Sequence, residues 1–216
     1  MTIERRHQGQ IGDSLRREYP HIRWGDPPYS VAPYVPSPIK VVRTMLKLAE
    51  VGPEDVVYDL GCGDGRILFT AVEEFEAMSA VGIDINSSIC KPIMLKVEKR
   101  GLGDRISVVN GNFFLADLSP ASVVTLYLTT SGNSKLRPKL ENELRDGARV
   151  VSHDFPIRNW TTIKPEPPEF YTVGSHKIYV YSIPEAYGRK KGVHRSPEEE
   201  SRWKRIRDIF LRGESR

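Results

Sequence analysis

The amino-acid sequence predicts an α/β fold, in which a mostly parallel sheet carries helices on both faces and ends in an antiparallel hairpin. Short apolar runs alternate with helical patterns between residues 38 and 154, which is typical of strand–helix–strand units. After Trp160 the helical patterns stop, and the strand-like runs TTIKP and HKIYVYSI predict the hairpin. The parallel strands are predicted at 56–60, 80–84, 106–110, 123–128 and 148–154.

Four helices are predicted around these strands. The first begins at about Pro38 with Ser37 as its cap, because a hydroxyl accepts from free amides and proline is tolerated at the first helical position. The other three are predicted at 65–76, 88–100 and 133–145. Ser88 as the cap of the third helix would put Pro92 in its first turn, and Pro138 is predicted near the start of the fourth helix.

The 216 residues divide into three predicted regions. One catalytic domain is predicted at 29–183, between a polar arm at 1–28 and an extension at 184–216 with a helix that begins near Ser196. The formal net charge of +4 comes from the extension, because residues 189–216 hold ten Lys or Arg against five acids. The rest of the chain holds 22 basic against 23 acidic residues and so carries no basic surplus.

Composition narrows the class of protein. Apolar residues make up 39% and charged residues 28%, a balance typical of a globular protein rather than a membrane or disordered one. Cys62 and Cys90 have no metal-ligand or disulfide spacing, and the opening MTIERRHQGQ is polar. We therefore expect a cytoplasmic protein without a membrane partner, and predict no metal site.

The strongest motif lies between the first strand and the second helix, where Asp59, Gly61, Gly63 and Gly65 have the spacing D-x-G-x-G-x-G. Glycines let the backbone turn sharply and approach a ligand, and the following helix offers free amides. The dinucleotide fingerprint requires a sixth-position glycine where this chain has Arg66. The motif instead resembles that of the Rossmann-like class I methyltransferases, which use S-adenosylmethionine (SAM). A tight turn without a ligand is the alternative interpretation.

Charge supports this resemblance, because SAM carries an ammonium and a sulfonium and no phosphate. Acids such as Asp59 and Asp64 suit those cations. Asp84 ends the next strand, 19 residues beyond Gly65, where an acid can accept hydrogen bonds from a ribose diol. Without the glycine motif, an Asp at that position would more often cap the following helix.

The resemblance to SAM-dependent methyltransferases also implies contacts after the next two strands. Ile85 is assigned to the cofactor pocket beside Asp84. Asn112 is expected on the adenine amine, where many relatives have Asp, and Phe113 beside the ring. Phe113 can equally be part of the core, since aromatics at strand ends are usually buried.

The end of the fourth strand excludes some chemistries. Methyltransferases acting on amino groups of adenine or glutamine have Asn or Asp followed by Pro-Pro and an aromatic there, and this chain has Thr125-Leu126-Tyr127-Leu128-Thr129. Neither cysteine is placed as a nucleophile for attack on a pyrimidine. Tyr127 is the candidate for shaping a substrate channel, with a packed strand-end tyrosine as the alternative. His153-Asp154-Phe155 lies on the same rim, where Asp154 more often orders a loop than takes part in catalysis.

A longer stretch of sequence resembles the archaeal protein lysine methyltransferases, compact relatives of the non-SET histone lysine methyltransferases. The likeness covers about residues 29–183 and includes PYVPSP, VVYDLGCGDGRI, GNFF, DLSPASVVTLYL and LRPKLENELRDGARVVSHDF. It implies SAM-dependent methylation of lysine side chains in cytoplasmic or chromatin-associated proteins. It also implies that Tyr34, Val35 and Ser37 line the cofactor pocket as a lid.

Two other functions remain open from the sequence. An RNA methyltransferase is compatible with the same fold and with the basic extension, because cationic segments neutralise phosphates. A binding module for nucleic acid or an acidic partner, with residual SAM binding, is the second. The intact motif from Asp59 to Gly65 and the acid at Asp84 argue against loss of SAM binding. For the extension itself, a solvated or self-packed helix is the simpler interpretation.

Overall fold

The computed structural model describes residues 35–164 and 166–188. Tyr34, the predicted arm at 1–28 and the predicted helix near Ser196 lie outside the described residues, and the division into three regions stays a prediction. The described chain forms one seven-stranded sheet in the order β3-β2-β1-β4-β5-β7-β6. The strands are β1 (Val56–Leu60), β2 (Ser79–Asp84), β3 (Ile106–Asn110), β4 (Val123–Leu126), β5 (Arg149–His153), β6 (Tyr171–Val173) and β7 (His176–Ser182).

The sheet is parallel from β3 to β5 and antiparallel at one edge, as the sequence predicted. β7 runs antiparallel to β5 and pairs with β6 in a hairpin. The predicted hairpin strand TTIKP is wrong, because β6 comes from the segment predicted to be a linker. The segment TTIKP does not form a strand ladder with β7. The amide of Ile163 donates one hydrogen bond to the carbonyl of Val180, and the hydroxyl of Thr162 donates to the carbonyl of Lys164 within the same turn.

Four helices cover the sheet: α1 (Ile39–Leu48), α2 (Arg66–Glu73), α3 (Ser87–Lys99) and α4 (Thr130–Glu143). Apolar side chains of α1, α2 and α3 pack on one face of the sheet, with Met45, Leu68 and Ile93 almost fully buried. The other face is covered by α4 and by loops that include Trp160. Helices therefore lie on both faces, as predicted. All helices of the described residues are too short or too polar to cross a bilayer.

The predicted caps of two helices are wrong. α1 has Pro38 at its cap position without a side-chain bond, because the hydroxyl of Ser37 is bonded elsewhere, to His153. α3 is capped by Asn86, whose side chain accepts from the amide of Ser88. The cap lies two residues earlier than predicted because an Asn side chain caps as well as a serine.

Both proline positions also differ from the prediction. Pro92 is the sixth residue of α3, beyond its first turn, and Pro138 lies in the middle of α4. Proline removes one helical hydrogen bond at each place. Pro92 and Ser88 are exposed, so water can satisfy the carbonyl left without a helical partner. α4 begins at Thr130, three residues before the predicted start, because the Thr129 side chain caps it by accepting from the amide of Gly132.

Candidate active site

The carboxyl ends of β1, β2, β4 and β5 meet at one edge of the sheet and define the site. The strand order reverses between β1 and β4, and ligands of open parallel sheets bind at such a reversal. Asp59 of β1 is directly opposite Thr125 of β4 in the ladder. The sequence motif between β1 and α2 therefore faces the crevice expected from topology alone.

The glycine-rich loop joins β1 to α2 through three left-handed residues. Gly61, Gly63 and Gly65 have φ values of 88°, 53° and 78°, which a side chain would strain. The amides of Gly61 and Cys62 both donate to the carbonyl of Ile83, at 2.8 and 3.2 Å, so the loop is fastened to β2. A Cβ on Gly65 would lie 2.8 Å from the side chain of Ile93. Glycine here lets α2 begin close against α3.

Asp59 is a buried carboxylate at the start of this loop. Its Oδ1 accepts a 2.8 Å hydrogen bond from the hydroxyl of Thr125. Burial raises the pKa of Asp59 to about 7 against the opposing effect of that bond, and the negative charges of Asp84 and Asp64 raise it further. The three acids named by the sequence therefore lie close enough to repel one another. A cationic ligand would relieve that repulsion.

Asp84 lies half-buried at the tip of β2 and faces the glycine loop. Its Oδ2 accepts from the amide of Gly63 at 3.2 Å, and its Oδ1 accepts from the amide of Asn86 at 2.9 Å. Asn110, at the end of β3, donates through Nδ2 to the carbonyls of Asp84 and Ile85. Sequence reasoning missed Asn110, although its place at the carboxyl end of a strand next to β2 was a usable signal.

Asp64 is paired, unlike Asp59. Its carboxylate accepts two hydrogen bonds from the guanidinium of Arg66, at 2.8 and 2.5 Å, and one from the Arg66 amide at 3.2 Å, and these bonds keep the pKa of Asp64 below its usual value. Nη1 of Arg66 also donates to the carbonyl of Ser37 at 2.5 Å. Arg66 thus joins the glycine loop to the segment that precedes α1. The sequence had treated Asp64 only as an acid for the cofactor and had not assigned this bridging role to Arg66.

Two further predicted residues, Asn112 and Phe113, lie after β3. Asn112 caps a short 3₁₀ helix, Phe113–Leu115, by accepting from the amide of Phe114 at 3.0 Å. Phe113 is 9% exposed, and its ring centroid is 4.9 Å from that of Phe114. Phe113 is therefore part of the core on this face of the sheet, which the sequence had left open. A contact with adenine stays a prediction for both residues.

The predicted lid is described only in part. Val35 is 53% exposed, whereas Ser37 is 6% exposed and its hydroxyl lies 2.8 Å from Nδ1 of His153. The structure thus brings Ser37 to the end of β5 and leaves Val35 facing outward. Their roles toward a cofactor stay predictions, as does that of Tyr34.

Tyr127 lies on the rim next to the end of β5. Its ring stacks on the ring of His153, with centroids 3.8 Å apart and an angle of 28°. Its hydroxyl donates to Oδ2 of Asp154 at 3.4 Å, and burial raises the pKa of Tyr127 above its ordinary value. The phenol is therefore neutral at physiological pH.

A cluster of titratable side chains follows on the same rim. Nε2 of His153 lies 2.9 Å from Nδ1 of His176, and Oδ2 of Asp154 contacts both nitrogens. Burial lowers the pKa of His153 to about 4, so its ring is neutral. Asp154 has φ of 58°, and its Oδ1 accepts from the amide of Lys177. Asp154 orders the turn after β5, as its sequence position suggested. The sequence missed His176, because HKIYVYSI was interpreted only as a strand.

The fold and this site define a class I SAM-dependent methyltransferase. A phosphate-bearing nucleotide would add negative charge beside Asp59 and Asp84, whereas SAM brings positive charge to the glycine loop and a diol to the β2 tip. Left-handed glycines leave the loop backbone open to close approach by the ligand. The residues present therefore fit SAM.

Comparison with known proteins agrees with this class. The family model of the ANTKMT methyltransferase domain matches residues 59–164. A protein-lysine N-methyltransferase of Saccharolobus islandicus is 49% identical over 156 residues, which are 71% of this chain and 94% of that protein. An adenine nucleotide translocase lysine N-methyltransferase of Mus musculus is 28% identical over 151 residues, which are 70% of this chain and 63% of that protein.

A solved structure is also similar. The crystal structure described as an RNA methyltransferase from Salinibacter ruber, in complex with S-adenosyl-L-homocysteine, is 39% identical to this chain. The match covers 74% of this chain and 100% of that one, with a TM-score of 0.65. The archaeal relative is 49% identical and the match covers 94% of it, so the chain belongs to the family of protein-lysine N-methyltransferases.

Proposed function

We propose that this enzyme transfers methyl groups from SAM to the ε-amino groups of lysine side chains in proteins. The observation that carries the proposal is the 49% identity to an archaeal enzyme of that name, which extends over 94% of the relative. The end of β4 agrees with it, since Thr125-Leu126-Tyr127-Leu128-Thr129 lacks the Pro-Pro motif of enzymes that methylate adenine or glutamine amino groups.

The residues assigned to SAM surround the glycine loop. We assign Asp84 and Ile85 to the ribose, and Asp59 with the loop to the amino-acid end. Asn112 and Phe113 are assigned to the adenine. The remaining assigned residues are Gly61, Gly63, Asp64, Gly65, Tyr34, Val35 and Ser37. When bound, SAM supplies an electrophilic methyl group on a positive sulfonium.

A lysine substrate must lose its proton before it can accept a methyl group. The ammonium has a pKa near 10.4, so a neutral amine at pH 7 costs roughly 4 to 5 kcal/mol. A desolvated channel lowers that cost, because burial disfavours the charged form. Tyr127 is the candidate wall of this channel. Its neutral ring is held by stacking on His153, which leaves a flat apolar surface on the rim.

No dedicated base is required in this proposal. Bulk water can take the proton before the amine enters the channel, and the neighbouring His153 is neutral and fully covered. The carboxylate of Asp154 accepts a hydrogen bond from the hydroxyl of Tyr127 at 3.4 Å and so helps to orient this ring at the rim. The chain's own contribution is therefore to desolvate and orient the amine.

RNA methylation is the second candidate function. It is favoured by the Salinibacter ruber structure, which is described as an RNA methyltransferase and is 39% identical to this chain. The surplus of basic residues at 189–216 is compatible with phosphate contacts, but it lies outside the described residues. We favour lysine because the relative with the higher identity carries that activity in its name.

One labelling experiment separates the two functions. The full chain would be incubated with methyl-labelled SAM and a host lysate, and protein and RNA pools would then be isolated separately. We expect label in protein, on lysine side chains identified by mass spectrometry. Label confined to RNA would contradict the proposal. The Asp84→Ala variant is the control, since label that persists with it would come from another enzyme in the lysate.

We also propose that the enzyme works in the cytoplasm. Cys62 and Cys90 are both free thiols, as expected for a protein that folds in a reducing compartment. Fractionation of host cells with an antibody against the chain tests this location. Recovery in a membrane or secreted fraction would contradict it.

A further inference from the structure

We propose that His153, Asp154 and His176 form a binding site for a divalent first-row transition metal ion. None of the three ligands is among the residues assigned to SAM, and the site does not depend on the proposed substrate. The ligand atoms are Nε2 of His153, Oδ2 of Asp154 and Nδ1 of His176. Two imidazoles and one carboxylate are a ligand set that such ions prefer.

The distances within this triad favour a metal ion over other cations. The three atoms are separated by 2.9, 3.0 and 3.2 Å. Ligands about 2.1 Å from a metal ion and at right angles to one another lie about 3.0 Å apart. Acceptors around a lysine ammonium, each about 2.8 Å from the nitrogen, would be about 4.5 Å apart. The triad is therefore too narrow for an ammonium and has the right size for a metal.

No arrangement of protons satisfies all three contacts of the triad. Each ring nitrogen either donates or accepts, and an ionised carboxylate only accepts. If one nitrogen carries a proton, the other nitrogen and the carboxylate oxygen face each other as acceptors. If both carry protons, two donors face each other across the 2.9 Å contact. A metal ion satisfies all three atoms at once, with both rings neutral and the carboxylate charged.

Outer contacts orient the ligands, as is usual around a metal ion. The other ring nitrogen of His153, Nδ1, is 2.8 Å from the hydroxyl of Ser37 and can donate to it. The second carboxylate oxygen of Asp154 accepts from the amide of Lys177 at 2.8 Å. The side chain of His153 is 0% exposed, while those of Asp154 and His176 are 25% and 29% exposed, which leaves a path for the ion.

The two histidines lie 23 positions apart, at the end of β5 and at the start of β7. This separation explains why no metal spacing was found in the sequence. A bound ion would join both strands to Ser37, and it would hold the ring on which Tyr127 stacks. We therefore expect the metal to stabilise this rim of the sheet.

Titration with Co²⁺ tests the proposal on the full chain after chelator treatment. We expect one ion per chain at this site, with visible absorption from nitrogen and oxygen ligands and an increase in the thermal unfolding midpoint. His176→Ala and Asp154→Asn should each weaken binding by more than the roughly 10- to 100-fold cost of losing an outer contact. Ser37→Ala should weaken it within that range. Asn is chosen at position 154 because it tolerates the left-handed backbone.

Lys177→Ala is the matched control. Lys177 contacts Asp154 through its backbone amide and carbonyl, which the substitution keeps, and its ammonium lies over the ring of Phe170. We expect this variant to bind Co²⁺ like the wild type. Absence of binding to the wild-type chain would overturn the proposal. Equal binding by the wild type, His176→Ala and Asp154→Asn would also overturn it, because the ion would then be held by other residues.

Discussion

The hydroxyl of Thr125 donates a 2.8 Å hydrogen bond to Oδ1 of Asp59, which joins β4 to β1 at the point where the strand order reverses. Both side chains are buried. Without this bond, burial would raise the pKa of Asp59 even further than the present value of about 7. The charge of the residue assigned to the amino-acid end of SAM is thus set by a neighbour that sequence reasoning did not select.

Removing the Thr125 hydroxyl should therefore shift the pH dependence of SAM binding. SAM is cationic and should bind more tightly as Asp59 ionises, so affinity should increase with pH up to about 7 and then level off. In Thr125→Val we expect the midpoint of this pH dependence to move upward by about one pH unit, because the bond that lowers the pKa of Asp59 is lost. Calorimetric titration with SAM from pH 5.5 to 9 measures it. Thr125→Ser, which keeps the hydroxyl, is the control, and an unmoved midpoint in the valine variant would contradict the expectation.

Asp59 should also make stability depend on pH. Its pKa is raised on folding, so it is protonated in both states below about pH 4 and has no effect there. Between about pH 4 and pH 7, Asp59 is ionised in the unfolded chain but still protonated in the folded one, so the free energy of unfolding decreases as the pH rises. Above pH 7 Asp59 is ionised in both states and the loss of stability is constant. Asp59→Asn should accordingly be more stable than the wild type at pH 8, by roughly 2 to 4 kcal/mol, and nearly equal at pH 4. Urea denaturation at both pH values tests this, and a difference that does not change with pH would count against it.

Gly82, in the middle of β2, is required by packing. A Cβ there would lie 2.5 Å from Cδ1 of Leu68 and 2.9 Å from the side chain of Cys62. We expect Gly82→Ala to cost about 1 to 3 kcal/mol, because overpacked cores must shift side chains or backbone. Gly52→Ala is the control, since nothing lies within 4 Å of its Cβ position. In thermal denaturation we expect a lower unfolding midpoint for Gly82→Ala and an unchanged one for Gly52→Ala. Equal midpoints would show that α2 can move away from β2.

Tyr127 should affect methyl transfer more than cofactor binding. In Tyr127→Ala the aromatic wall is lost, and we expect the turnover rate on protein lysine to decrease by about tenfold or more, with SAM affinity nearly unchanged. Tyr127→Phe keeps the ring that stacks on His153 and loses only a 3.4 Å hydrogen bond, so its rate should remain close to that of the wild type. Initial rates with labelled SAM measure both. An alanine variant with full activity would leave Tyr127 as a packed strand-end residue.

Local signals in the sequence were sufficient for most of the fold. Alternating apolar and helical patterns predicted the parallel sheet and the four helices, and the motif from Asp59 to Gly65 predicted the loop at the strand reversal. The caps and the position of β6 were wrong because they depend on contacts made in three dimensions. Ser37, for example, bonds His153, which lies 116 positions further along the chain, instead of capping α1.

The parts of the site that the sequence missed are contacts between distant strands. Three such residues are Asn110, Thr125 and His176. Each is hydrogen-bonded to a residue of another strand that lies 23 to 66 positions away in the sequence. Only Asn110 had a local signal, its place at the carboxyl end of a strand, whereas the sequence around Thr125 and His176 is that of ordinary strand residues. Only the register of the sheet brings them to the rim.

Substitution of Asp84 tests the assigned SAM site most directly. Its carboxylate at the tip of β2 is assigned to the ribose of SAM and also accepts a hydrogen bond from the amide of Gly63 in the glycine loop. Titration calorimetry with SAM at pH 8 would compare the wild type, Asp84→Ala and the control Asp104→Ala, which changes an exposed acid in the turn before β3. We predict that binding is lost in Asp84→Ala and retained in the other two proteins. Equal affinity in all three would contradict the claim that the glycine loop and the β2 tip hold the cofactor.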